Sequence, residues 1–252
     1  MEKIKNKLKI TFLGTGSNGG IPQLDCRCEN CSSGEIRRRS SILIEYANKK
    51  YIIDCGPDFK QQLVDQNLRL QEIDGIILTH LHWDHSIGLF ELTSGQKLNI
   101  PIFAGKKVIK SLTEEKQFKY IFEAGFAQIG NKIKGIDLSF LEVAHDNLFF
   151  TYAVKISACP DKTILYAPDI SKILDEFKNA SNESDLIILD GTFINSSISS
   201  HVSIRESINE LKGDLNKIIF THINHSEDIS KINSLLSDTG AKLAEDRLSL
   251  VI

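Results

Sequence analysis

Thr79-His80-Leu81-His82-Trp83-Asp84-His85 follows the short apolar run Gly75-Ile76-Ile77-Leu78. The run reads as a buried strand, and a strand that ends in a tight loop aims the next side chains into one cleft. Neutral imidazole nitrogens beside a carboxylate suit zinc, manganese or iron. His-x-His-x-Asp-His is expected by chance in only roughly 4 of 10,000 chains of this composition. An exposed loop that happens to hold three histidines is therefore the weaker reading.

On the N-terminal side of this motif the pattern is mostly strands. Residues 7–13 alternate apolar and polar up to Gly14. Residues 41–45 and 50–54 read as two more strands joined by Ala47-Asn48-Lys49, and 59–67 has helical spacing with Pro57 near its start. On the C-terminal side, 100–104, 136–143, 149–157, 163–167, 186–189 and 218–221 read as strands. Residues 171–178, 203–212 and 226–238 read as helices, and terminal strands fall near Leu243 and Leu250. Residues 106–135 are lysine-rich with scattered aromatics and predict no single element. Hairpins in both halves with helices between them suit two mixed sheets sandwiched by helices, an α/β fold with four αββα layers. Periodicity alone leaves a doubly wound sheet open.

The chain has 252 residues, 41% hydrophobic and 25% charged, with a net charge of −3. That suits one globular domain spanning 1–252, with no linker dividing it. The charge does not favour a nucleic-acid or polybasic membrane protein. No apolar run approaches the ~18 residues of a membrane span, and the N-terminal apolar run is too short for a signal peptide, so a cytoplasmic location is expected.

Gly14-Thr15-Gly16-Ser17-Asn18-Gly19 matches the dinucleotide fingerprint GxGxxG. However, Gly20, Ile21 and Pro22 follow where a helix would have to begin. A turn that brings backbone close to the site is the better reading. Five cysteines are present, three of them in Cys26-Arg27-Cys28-Glu29-Asn30-Cys31. Clustered thiols without a secretory signal suggest a metal, whereas Cys55 and Cys159 read as plain buried cysteines.

The chain resembles the metallo-β-lactamase superfamily, whose signature is HxHxDH after a buried strand. Further landmarks occur in the expected order: His145 after the strand ending at Val143, Asp169 after Tyr166-Ala167-Pro168, and His222 after Thr221. The resemblance implies that His80, His82 and His145 bind one metal, that Asp84, His85 and His222 bind a second, and that Asp169 bridges them. It implies that Asp54 orients a ligand histidine. It also implies that His201, in Ser199-Ser200-His201-Val202-Ser203, binds phosphate or protonates a leaving oxygen. Asp190, at the strand end Leu189-Asp190-Gly191-Thr192, reads as support for the His201 loop.

Within the superfamily the match is mixed. The glycine-rich first loop, the thiol cluster and the His222/His225 pair resemble the cyclic-phosphate phosphodiesterases of the carbon–phosphorus lyase pathway. Tyr166-Ala167-Pro168-Asp169 and Ile188-Leu189-Asp190-Gly191-Thr192 look more like the pyrroloquinoline quinone (PQQ) biosynthesis B proteins, which usually lack a full HxHxDH. The first resemblance implies a structural zinc on Cys26, Cys28, Cys31 and His225. It also implies a metal-dependent phosphodiesterase, with two active-site metals (zinc or manganese, with iron a third candidate) and Asp84 and His201 as catalytic residues. A hydroxide between the metals would attack a small cyclic or activated phosphate ester.

A tRNase Z-like RNA endonuclease is the second reading. Lysines 106, 107, 110, 116, 119, 132 and 134 are its only candidate basic patch. A metal-binding carrier or biosynthesis factor for a redox cofactor is the third. No membrane partner is expected, and a homodimer is compatible with the sequence.

Overall fold

The computed structural model describes residues 7–130, 132–158, 162–195, 198 and 200–252. Cys159 and Ser199 lie outside the described residues. Strands β1 (Lys9–Gly14), β2 (Ser41–Tyr46), β3 (Lys49–Ile53), β4 (Gly75–Leu78), β5 (Ile100–Ala104), β6 (Ala127–Ile129) and β13 (Ser249–Val251) form one sheet, in the order β13-β1-β2-β3-β4-β5-β6. Strands β7 (Ile136–Val143), β8 (Thr151–Ala158), β9 (Lys162–Ala167), β10 (Leu186–Asp190), β11 (Ile218–Thr221) and β12 (Lys242–Leu243) form the other, in the order β12-β11-β10-β9-β8-β7. Both sheets are mixed. β3 to β6 are parallel, as are β9 to β12, while β1-β2-β3 and β7-β8-β9 run antiparallel.

Alternation along the strands makes the layers. Ile53 and Ile77 of the first sheet face Val154, Ile156, Tyr166 and Ile188 of the second in a shared central core. Their neighbours Ile52, Ile76 and Leu78 point to the opposite face. There they are covered by α2 (Phe59–Asp65), α4 (Lys106–Glu114) and α5 (Lys116–Glu123), through Phe59, Leu63, Val108, Leu112, Phe118 and Ile121. Leu165, Ile187 and Leu189 pack outward against α6 (Asp175–Asn182), α7 (Ile204–Glu210) and α8 (Ile229–Ser237). The result is the expected four-layer αββα sandwich. Period-two burial on both faces is what two helix-covered sheets require.

The hairpin between β2 and β3 closes on two residues, Ala47 and Asn48, both with positive φ (49° and 63°), so Lys49 already belongs to the strand. A two-residue turn of this hand matches the twist of the strands it joins. Two expectations need correction. The 106–135 segment is α4, α5 and β6; each helix is short but buries one apolar stripe, and Glu115, extended at φ −72° and ψ 120°, separates them. The helix expected over 171–178 begins only at Asp175. The backbone before it is committed elsewhere: Ser171 N–H donates to Ala144 C=O (2.7 Å) and Ile170 N–H to Asp190 (3.1 Å). Among the described residues no helix is long and apolar enough to cross a membrane.

Candidate metal centre and catalytic cleft

One edge of the sandwich gathers the loops that leave β4, β7, β9, β10 and β11, and these loops carry His80 to His85, His145, Asp169, His201 and His222. Chain segments leaving the carboxyl ends of parallel strands are the usual place for a site in open α/β sheets. His82 caps the one-turn helix α3 (Trp83–Ser86), which turns Asp84 and His85 back into the interior. His222 stands in the left-handed region at φ 63°, unusual for a side-chain-bearing residue and costly enough to need support. That support comes from the first loop: Ile223 N–H donates to Thr15 C=O (2.8 Å), and Ser17 N–H donates to Ile223 C=O (2.9 Å). The GxGxxG stretch thus holds the His222 loop in place. A Cβ on Gly16 would lie 2.8 Å from Arg37 C=O, so the close approach requires glycine.

Each imidazole is gripped on one nitrogen from outside, which leaves the other free to face inward. His80 Nδ1–H donates to Thr79 Oγ1 (2.8 Å), whose own hydroxyl donates to Asp54. His82 donates from Nε2 to Asp146 (2.6 Å), and His85 from Nδ1 to Asp54 (2.8 Å). His145 Nδ1–H donates to Ser200 C=O (2.6 Å), and His222 Nδ1–H to Thr192 Oγ1 (2.9 Å). Outer partners of this kind fix the tautomer and aim of a metal-ligating histidine.

The inward nitrogens converge in two sets. His80 Nε2 and His82 Nδ1 are 2.9 Å apart, and His82 Nδ1 and His145 Nε2 are 3.2 Å apart. In the second set, His85 Nε2 lies 3.4 Å from His222 Nε2 and 3.3 Å from Asp84. Nitrogens bound tetrahedrally at zinc's usual ~2.0–2.1 Å would stand about 3.3 Å apart. Asp169 lies between the sets, with Oδ1 3.6 Å from His145 Nε2 and 3.5 Å from His222 Nε2, and Oδ2 2.9 Å from His85 Nε2. Yet among the described residues the buried Asp169 Oδ2 has no properly formed hydrogen bond. With one proton on Nδ1, a neutral His85 would set a lone pair against a carboxylate lone pair, so the site draws a second proton or a cation onto Nε2. A cation resolves that opposition, so the donor set fits metals.

The electrostatics point the same way. Burial pushes His80 well below its ordinary pKa, helped by His85, and burial also lowers His145. For His85 burial opposes charge, but Asp169, Asp84 and Asp54 outweigh it and hold its pKa well above the ordinary value. Asp169 and Asp84 are held well below the carboxylate range: burial resists, but His222 and His85 overcome it. Asp54 is raised by its complete burial. The pocket is therefore built to hold positive charge.

His201 also lines this cleft, whose volume is about 330 Å³. Its Nδ1–H donates to the fully buried Asp190 (2.7 Å), which leaves Nε2 as the atom available to a substrate. Burial works against the charged ring, but Asp190 and then Asp169 raise its pKa to about 9. Asp190 also accepts from Thr192, which holds His222, so one carboxylate supports both histidines.

The thiol cluster forms a separate site. Cys26, Cys28 and Cys31 Sγ lie 3.3, 3.5 and 3.7 Å from His225 Nδ1, and all four residues are partly exposed. A tetrahedral zinc with ordinary bond lengths would set sulfur and nitrogen about 3.6 Å apart. Hydrogen bonds from the Cys31 backbone N–H and His225 lower the Cys28 thiol to about 6, whereas burial lifts Cys31 to about 11. Asn30 clamps the loop by donating to His225 C=O (2.9 Å) and Glu227 C=O (2.6 Å). Cys55 is an ordinary buried thiol, its pKa raised by burial.

Thr79, Asp146, Thr192 and the Ser200 carbonyl were not singled out in the sequence. Thr79 and Asp146 directly adjoin ligand candidates, which was the available signal. Of the seven lysines of the candidate basic patch, Lys107, Lys110 and Lys119 are paired to Glu142, Glu114 and Glu123.

Residues 49–223 match the family model of the beta-lactamase superfamily domain, and the chain belongs to that family. With this fold and its clustered metal-ligating residues, it is a metal-dependent hydrolase. The crystal structure of a new diphosphatase from the PhnP family superimposes with a TM-score of 0.82 at 27% identity, covering 98% of this chain and 97% of that one. The coenzyme PQQ synthesis protein B of Acinetobacter baumannii is 26% identical over 226 residues, 73% of each chain. An octanoyltransferase of Porphyromonas gingivalis is 32% identical over 120 residues; the match covers 46% of this chain and spans about a quarter (24%) of that protein.

Proposed function

We propose that residues 1–252 form one phosphodiesterase domain that hydrolyses a small cyclic or activated phosphate ester. The observation that carries this reading is the pair of ligand sets sharing Asp169, with His201 beside them in the same cleft. His80, His82 and His145 would hold one divalent cation, Asp84, His85 and His222 a second, and Asp169 both. Zinc and manganese are the best fits to this nitrogen and oxygen donor set. When bound, such a pair neutralises charge on a phosphoryl group and supplies a nucleophile at neutral pH. Asp84 would orient that nucleophile.

His201 donates its Nε2 proton to the departing alkoxide oxygen, and Asp190 keeps the imidazolium oriented and charged while it does so. Asp54, Thr79, Asp146 and Thr192 hold the ligand imidazoles in aim. A zinc on Cys26, Cys28, Cys31 and His225 would clasp the first loop to the His222 loop, next to the cleft. The similarity to the diphosphatase structure, over nearly the whole of both chains, supports phosphate-ester chemistry. The net charge of −3 weighs against an RNA endonuclease, and the intact HxHxDH weighs against a mere carrier.

The test is a metal-dependent screen of cyclic phosphates, nucleotides and RNA. Turnover of a small phosphodiester that needs added zinc or manganese is expected. Cleavage confined to structured RNA would favour the endonuclease, and no turnover with a fully loaded site would favour the carrier.

A further inference from the structure

Trp83 is the chain's single tryptophan, stands between His82 and Asp84, and lines the cleft with 49% of its surface exposed. Large apolar side chains are normally withdrawn from water, and a half-open indole at the mouth of a polar cleft is ready-made contact surface. Its position is fixed rather than free. The Arg39 guanidinium sits 5.7 Å from the ring centroid, itself held by Asp58 (3.3 Å) and Asn18 C=O (3.0 Å). That cation disfavours a positively charged ligand on the same ring, so a choline-like or ammonium group is the wrong partner.

Beside Trp83 in the cleft wall stand Ser17 and Asn18. Ser17 is 2% exposed, and its hydroxyl is buried with no hydrogen-bond partner among the described residues. An unpaired buried hydroxyl costs on the order of 1–3 kcal/mol, which rotation of the Ser17 side chain toward a ligand group in the cleft would relieve. The Asn18 side chain is exposed and makes no hydrogen bond among the described residues. Phe193 and Ile198, from the second sheet's loops, add apolar surface to the same cleft.

We propose that Trp83, Ser17 and Asn18 form the subsite for the non-phosphate part of the substrate. That part is a neutral heteroaromatic ring with a hydrogen-bonding edge, such as a nucleobase. The ring stacks on the indole, and the edge or the attached sugar satisfies the Ser17 hydroxyl and the Asn18 amide. A purely hydrocarbon ring would leave Ser17 unpaired, and a bare sugar would leave the indole uncovered. The cleft volume of about 330 Å³ lies at the small end of ligand pockets, which fits a mononucleotide better than a polymer. The inference rests on the phosphodiesterase reading of the same cleft, but it can be tested apart from turnover.

Because Trp83 is the only tryptophan, its fluorescence reports this subsite alone. A nucleoside 2′,3′-cyclic phosphate should quench the emission saturably, and ribose 5-phosphate at equal concentration should not. Base stacking is worth ~1–3 kcal/mol, which at 1.36 kcal/mol per decade is about 5- to 150-fold in affinity. Ser17→Ala and Asn18→Ala should each weaken the nucleotide titration while the emission of the free protein stays unchanged. In turnover, Trp83→Leu should raise KM for the nucleoside ester more than for a base-free cyclic ester, so the preference between them collapses. Equal quenching by ribose 5-phosphate, or no saturable quenching by the nucleotide, overturns the subsite. Saturable nucleotide quenching without hydrolysis of any phosphodiester would leave the subsite standing and overturn the phosphodiesterase reading instead.

Discussion

The His/Asp cleft and the Cys26/Cys28/Cys31/His225 cluster are both groups of side chains suited to a metal, but they are built differently. In the cleft the imidazoles come from three loops, with His80, His82 and His85 on one, are mostly buried, and each hands its outer proton to a fixed partner. At the thiol cluster three donors come from one short partly exposed segment, and the clasp depends on a single distant histidine. The cleft is therefore aimed by the fold before any metal arrives, whereas much of the order at the cluster would come from the metal itself. Chemistry needs the first arrangement and fastening needs only the second. Ile223, between His222 and His225, ties the two regions by bonding to both Thr15 and Ser17.

The largest difference between the regions should appear on removing Asp169. Asp169→Ala takes away the carboxylate between the two ligand sets, and phosphodiester turnover should fall more than about 10,000-fold, beyond what a single acid-base residue supplies. The thiol cluster should keep its metal, as read by elemental analysis. Retained turnover would remove Asp169 from the shared position.

His201→Ala should lower kcat on an unactivated alkyl phosphodiester by about 100- to 10,000-fold, and clearly less on a nitrophenyl ester, whose leaving group needs little protonation. Equal losses on both would make His201 a phosphate-binding residue rather than an acid. Asp146→Ala should be milder, weakening metal binding at the His80/His82/His145 set by about 10- to 100-fold without touching the thiols. Metal titration of the depleted protein reads this directly.

In the metal-free protein the His201 ring should titrate near pH 9, seen by NMR, and Asp190→Asn should bring it down. Its folded pKa lies above the ordinary value of ~6.5. The stability from the Asp190–His201 pair is therefore fully present below that value and is lost as pH rises through about 9. Denaturation midpoints of wild type and Asp190→Asn should differ most at low pH and converge above 9. The smallest effect on chemistry is expected from the fastening site: His225→Ala should cost one metal equivalent and some thermal stability while both cleft metals stay bound.

Much of this was legible in the residues. The HxHxDH run, the order of His145, Asp169 and His222, and the alternating strands all carry their meaning locally. The outer partners did not, because a threonine, an aspartate and a backbone carbonyl are ordinary in sequence and gain their role only when distant loops meet. The helices α4 and α5 are hard to read because each spans only about two turns and they are joined with a single residue, Glu115, between them. Residues 171–174 looked helical because nothing local reveals that Ser171 and Ile170 are engaged by Ala144 and Asp190. The half-exposed Trp83 drew no attention within a motif dominated by its ligand neighbours.

The most direct test of the shared-carboxylate, two-metal cleft is a titration of metal-depleted protein with zinc or manganese. Bound equivalents and the rate of hydrolysis of a small cyclic phosphodiester are followed together. With the thiol cluster filled, the account predicts two further equivalents, with hydrolysis rising in step with the second. Full activity at one cleft equivalent, or two bound equivalents with no hydrolysis, would contradict it.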